Sequence, residues 1–65
     1  MKLKKGDLVY SLGYAIPNYC EDLGEVQVVR GGMVNVEFNY KDVKVRKCIV
    51  VIADERKFEK AEVSV

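Results

Sequence analysis

Apolar residues recur at every second position over several short stretches, each bounded by Gly, Pro, Asn or Asp. That period puts alternate side chains on opposite faces of an extended chain, so it predicts half-buried strands. The first strand is expected at Asp7–Ser11, with Val9 inward. The second, Glu25–Arg30, alternates Val26 and Val28 with Glu25, Gln27 and Arg30. The third, Met33–Phe38, places Val34, Val36 and Phe38 on one face and Asn35 and Glu37 on the other. Gly31-Gly32 between them fits a two-residue primed hairpin turn, whose central residues need positive φ. A second turn at Asn39–Asp42 leads to a fourth expected strand, Val43–Arg46, with Lys44 and Arg46 facing water. The fifth run, Ile49–Ala53, is apolar throughout and reads as a strand buried on both faces or one that closes a barrel. Beyond it, Asp54–Ala61 admits a helical turn capped by Asp54. The alternation of Ala61–Val65 instead suggests a sixth strand paired with the fifth, and is the favoured reading. The expected core is Val9, Val26, Val28, Val34, Val36, Phe38, Val45 and Ile52.

The stretch Leu12–Leu23 breaks the pattern. It is too long for a tight turn, and Gly13, Pro17 and Asn18 interrupt any helix. Its apolar residues Tyr14, Ile16, Tyr19 and Leu23 predict a loop folded over the body of the protein.

Short strands on a chain of 65 residues hide their edges best by curling into one small barrel. Three segments carry a further resemblance: Lys5-Gly6-Asp7-Leu8-Val9, Leu23-Gly24-Glu25-Val26-Gln27-Val28-Val29 and Met33-Val34-Asn35-Val36-Glu37-Phe38. The pattern resembles the SH3-like small barrels, especially the KOW and Tudor-like groups. It implies an all-β fold: a single five-stranded barrel domain over about residues 5–53, with a short C-terminal extension, 54–65, as an extra strand or helical turn. Gly24 would permit a kink or a close backbone approach where a strand bends.

Composition adds constraints. A domain this short buries only about 60% of its unfolded surface, so its core is marginal. Net charge is +1, whereas proteins dominated by phosphate contacts usually carry a clear basic excess. The charge is uneven. Arg30, Lys41, Lys44, Arg46 and Lys47 against Glu37 and Asp42 make residues 26–50 basic, and both flanking segments carry a slight acidic excess. The N-terminal lysines precede no apolar signal segment, and no apolar run is long enough to span a bilayer. A cytoplasmic chain with reduced thiols, and no membrane partner, is the expectation.

Catalytic chemistry has little material. The chain has no His, and two cysteines 28 positions apart match no zinc pattern. Cys20 has acidic neighbours, Glu21 and Asp22, which raise a thiol pKa rather than lower it. Ser11 and Ser64 lack a base, and the glycines form no phosphate loop. No enzyme activity, metal or cofactor is therefore expected.

Two residue sets are candidates for binding. Tyr10, Tyr14 and Tyr19, with Glu21 and Asp22, cluster on and beside the long loop, where loops held by a rigid scaffold carry function. In SH3-like modules an aromatic groove beside that loop binds peptides, and in Tudor-like ones aromatics cage methylated side chains. Tyr40, Lys41, Lys44, Arg46 and Lys47 combine cations with a stacking ring, the elements of RNA or single-strand recognition. The favoured function is a non-catalytic protein-binding module, a small regulator or assembly component. A KOW-like nucleic-acid module is the alternative. A homo-oligomer joined through Ile49–Ala53 and the C-terminal tail is the third reading.

Overall fold

The computed structural model describes residues 3–61. The opening Lys-Gly-Asp segment is a turn with a physical task for each residue. Gly6 sits at φ 93°, where only glycine is comfortable. The amide of Asp7 donates to the Lys4 carbonyl (3.0 Å), and the Lys4 amide donates back to Asp7 Oδ2 (3.0 Å). The Asp7 carboxylate is thereby buried and satisfied, with Lys60 Nζ 3.8 Å away. The Gly6 amide reaches the Val26 carbonyl and the Val26 amide reaches Asp7 (2.8 and 2.9 Å), locking the turn to the second strand.

Five antiparallel strands follow: β1 (Leu8–Ser11), β2 (Leu23–Arg30), β3 (Met33–Asn39), β4 (Cys48–Asp54) and β5 (Phe58–Lys60). Their order in the sheet is β4-β3-β2-β1-β5. The fold is all-β, as the alternation predicts. The β2–β3 connection is the expected glycine turn, with Gly31 and Gly32 at φ 57° and 81°, the two positive values of a type I′ hairpin. The sheet stays open, with β4 and β5 as its edges.

The inner face buries Val9, Val26, Val34, Val36, Phe38 and Ala53, and Leu3, Cys20 and Phe58 join them from outside the central strands. Gly24 pairs with Val9 of β1 and lies just before the Glu25–Glu37 pair of β2 and β3. A Cβ there would lie 2.5 Å from Val36 Cγ1 and 2.7 Å from the Phe38 ring. The glycine is thus needed for close packing of the core over β2, the close approach anticipated from its place in the pattern.

Several expectations fail for identifiable reasons. Val28 is exposed rather than buried. Val26 pairs with Val36 but Val28 pairs with Asn35, so Gln27 is an extra bulged residue. A bulge of one residue reverses the faces beyond it. The Val43–Arg46 strand does not form, and Val43 and Val45 are exposed. Asp42 accepts the Lys44 amide through its side chain (3.0 Å) and the Val45 amide through its carbonyl (3.1 Å). Such local bonds offer the backbone an alternative to a ladder, and Arg46 at φ 50° ends any extended run. Ile52 is 60% exposed because the parity of β4 points Ile49, Val51 and Ala53 inward instead. Ile49–Ala53 lies in an edge strand with one face in water, neither doubly buried nor closing a barrel.

At the C-terminal end, Asp54 does cap a turn. Its Oδ1 accepts the Arg56 amide (2.9 Å) at the start of a 3-10 turn, Glu55–Lys57. The strand that follows is Phe58–Lys60, and it pairs with β1 rather than with the fifth apolar run. Ala61 lies outside it, and the remainder of the expected Ala61–Val65 strand lies outside the described residues.

Candidate functional site

The long loop Leu12–Asp22 is held at both ends. Near β1, the Leu12 amide donates to the Lys57 carbonyl (2.8 Å). The Ser11 hydroxyl accepts from the Tyr14 amide (3.0 Å) and donates to the Tyr14 carbonyl (2.9 Å). Near β2, buried Cys20 forms an isolated bridge with Tyr40. The Glu21 amide reaches Asn39 and the Lys41 amide reaches Tyr19 (2.8 and 2.9 Å). The second half of the loop is therefore stitched onto the loop Tyr40–Lys47, which joins β3 to β4.

This stitching sorts the candidate residues. Tyr19 meets Tyr40 edge-to-face, with ring centroids 4.9 Å apart, a favoured aromatic geometry. Tyr40 is half-buried against the core while Tyr19 remains 56% exposed. The neighbouring phenol and partial desolvation hold the Tyr19 hydroxyl above its usual pKa. Tyr10 lies on the outer face of β1 opposite Leu23 and Glu59, and Tyr14 belongs to the Ser11 turn. Both are exposed, and neither joins the Tyr19–Tyr40 pair. The two rings in contact fall short of an aromatic cage, which needs three or four around one cation.

Between the stitched loops and the start of β4 lies a cleft of about 330 Å³. Its walls are Glu21, Glu37, Asn39, Tyr40, Asp42, Val43, Arg46, Lys47 and Cys48. It draws on both candidate sets: Glu21 from one, Tyr40, Arg46 and Lys47 from the other. Asp22, Lys41 and Lys44 are exposed and lie outside its walls. The expected basic strand face does not exist, since Lys44 sits in the Asp42 turn. The cleft instead carries three carboxylates against two cations, a slight acidic excess. Glu37, Asn39, Asp42, Val43 and Cys48 are walls that sequence reasoning did not assign. Asp42, two residues before Lys44, was the available signal for a turn there.

Cys48 is exposed on the outer face of β4, and both cysteines are free thiols. Glu37 beside it favours the protonated form, which raises the Cys48 pKa, so the thiol is a weak nucleophile there. Among the described residues no cluster of three or more His, Cys, Asp or Glu could hold a metal ion, and no helix is long and apolar enough to cross a membrane. A second cleft, of about 320 Å³, lies between Leu3, Leu12, Phe58 and the charged residues Glu55, Arg56 and Glu59.

Comparison with protein-family models, with curated proteins and with solved structures returned no match.

Proposed function

We propose that the protein is a non-catalytic module that binds another protein through the cleft between the long loop and the β3–β4 loop. The observation that carries this reading is the mixed-charge wall beside an exposed tyrosine. Glu21, Glu37 and Asp42 line the cleft together with Arg46, Lys47 and Tyr40, with Tyr19 against the Tyr40 ring. Three carboxylates in the cleft wall disfavour a phosphate group inside it, whereas a peptide of mixed charge finds partners for both signs. Tyrosine adds contact area at low entropy cost. An SH3-like relationship is part of the same proposal. Its supports are the long loop after β1 and the strand order, a meander of β1 to β4 whose chain then returns so that β5 pairs with β1.

The test is capture from native lysate with and without nuclease, followed by titration of the purified captured protein. Tyr19→Ala and Arg46→Glu should each weaken binding by about 30-fold, as interface hot spots do. The melting temperature should fall by about 2–12 °C for Tyr19→Ala, which loses the Tyr40 contact, and stay almost unchanged for Arg46→Glu. Binding that survives both substitutions rules out the cleft.

The nucleic-acid reading keeps one observation in its favour: Lys41, Lys44, Arg46 and Lys47 are all exposed on one loop. It requires oligonucleotide binding that falls steeply with salt and is abolished by Lys44→Glu with Arg46→Glu. We expect only weak binding that disappears by about 200 mM salt.

A further inference from the structure

Of the two sheet edges, β5 is three residues long and β4 is seven. Natural proteins blunt long edges with charge, proline or a bulge, because the unpaired backbone groups recruit another strand. Cys48–Ala53 carries no charged residue and no proline, and its pairing with β3 runs without a bulge. On its outer face Val50 and Ile52 are 53% and 60% exposed, and Val28 and Met33 extend the apolar patch across β2 and β3.

The direction of each backbone group follows from the ladder. The Tyr40 amide donates to Lys47 and the Glu55 amide donates to Gly32 (3.1 and 2.9 Å). Both bonds continue the β3–β4 register. Hydrogen-bonded pairs alternate along an antiparallel ladder, so Ile49, Val51 and Ala53 direct their N–H and C=O groups toward β3. Cys48, Val50, Ile52 and Asp54 direct theirs away from it, and among the described residues no backbone bond reaches them.

We propose that β4 pairs antiparallel with β4 of a second copy of this chain, about a two-fold axis at Val51, so that one sheet runs through both copies. The set of outward-directed residues is symmetric about that point. Cys48 meets Asp54 and Val50 meets Ile52, twice each, so every free group on the edge finds a partner and the two exposed apolar side chains cover one another. The same register sets Lys47 opposite Glu55, an opposite-charge pair at each end. Sliding by two residues one way leaves Asp54 facing Arg46, outside the strand at positive φ. Sliding the other way leaves Cys48 facing Arg56, inside the 3-10 turn. A two-fold contact of this kind is closed and stops at the dimer. As a strand-to-strand contact it falls at the small end of protein interfaces, so the dimer is weak and dependent on concentration.

Sedimentation equilibrium on the full chain, from micromolar to about 1 mM, should show the mass rising toward twice that of the monomer. Val50→Pro removes an edge amide while sparing the β3–β4 ladder, a place where sheets tolerate proline. It should weaken the dimer by about tenfold or more. A cross-link reports the register independently of affinity. In a Cys48→Ser background, Val51→Cys lies opposite itself in a non-hydrogen-bonded pair, about 4.5 Å between Cα atoms, within reach of a disulfide. It should oxidise to a covalent dimer. Val50→Cys, displaced diagonally from its own copy, should not. Three results would overturn the proposal. One is a full chain that stays monomeric at about 1 mM. The others are a Val50→Pro variant that dimerises like the parent, and cross-linking of Val50→Cys as readily as Val51→Cys.

Discussion

Replacing Gly24 with Ala adds a single methyl group at the most crowded glycine of the chain. The new carbon would stand 2.5 Å from Val36 Cγ1, 2.7 Å from Phe38 Cε1 and 2.9 Å from Phe38 Cδ1. Carbon pairs are comfortable at about 3.5–4.0 Å, so the neighbours must retreat by about 1 Å. Both are fully buried, between β2 and the rest of the core, and have no open space to enter. Overpacking of this kind costs about 1–3 kcal/mol, and three simultaneous clashes argue for the upper half, about 2–3. Alanine also restricts the unfolded chain, which offsets about 0.4–1 kcal/mol. The net loss is about 1–2.5 kcal/mol, a large fraction of the roughly 3–10 kcal/mol expected for a domain of this length. At about 4–8 °C per kcal/mol the melting temperature should fall by about 4–20 °C. Thermal unfolding followed by circular dichroism measures it. A second variant isolates the cause. In Gly24→Ala with Val36→Ala, the added methyl occupies space vacated by Val36, so the double variant should be more stable than the sum of the singles predicts, by about 0.5–3 kcal/mol. A Gly24→Ala protein that melts with the parent, or strict additivity in the double variant, would refute the packing explanation.

Val36→Asp should unfold the domain outright, because it buries an unpaired carboxylate at a fully buried position; retention of the parent's proton NMR dispersion would contradict that. Phe58→Ala should cost about 3–5 kcal/mol, since Phe58 is buried although its sequence neighbours are charged; denaturant titration decides. Val45→Thr should shift stability by no more than about 0.5 kcal/mol, because Val45 is exposed in a turn, and a large loss would restore the abandoned strand. Alkylation of the native protein should label Cys48 and spare buried Cys20. The reactive species is the thiolate, and Glu37 favours the thiol. Glu37→Gln should therefore lower the Cys48 pKa and move its pH–rate profile to lower pH, and an unmoved or opposite shift would contradict the assignment.

The sequence alone placed β1, β2 and β3 as strands and the glycine turn between β2 and β3, although the equally clean alternation of Val43–Arg46 formed no strand. Strand face and turn are local properties: Val34, Val36 and Phe38 share a face whatever lies beyond them, and Gly31-Gly32 supplies the two positive φ angles a tight hairpin demands. At Gly24 the pattern left a kink or a close approach open, and the β3 side chains of Val36 and Phe38 decided for the close approach. Tertiary structure alone decided the rest. One bulged residue at Gln27 moved Val28 to the outer face, a choice that depends on β2 serving β1 on one side and β3 on the other. The Asp42 side chain outcompeted a ladder at Val43–Arg46, where no neighbouring strand offered better bonds. Phe58 found the core only because β5 docks beside β1, a pairing between residues about 50 apart that no local window contains. The candidate site followed the same logic. Exposed tyrosines and a basic run were visible in the chain, but joining Glu21 and Tyr19 to Tyr40, Arg46 and Lys47 required the bridge from Cys20 to Tyr40. Periodicity identifies which residues face inward on one strand, whereas only the folded chain decides which strands and loops stand beside one another.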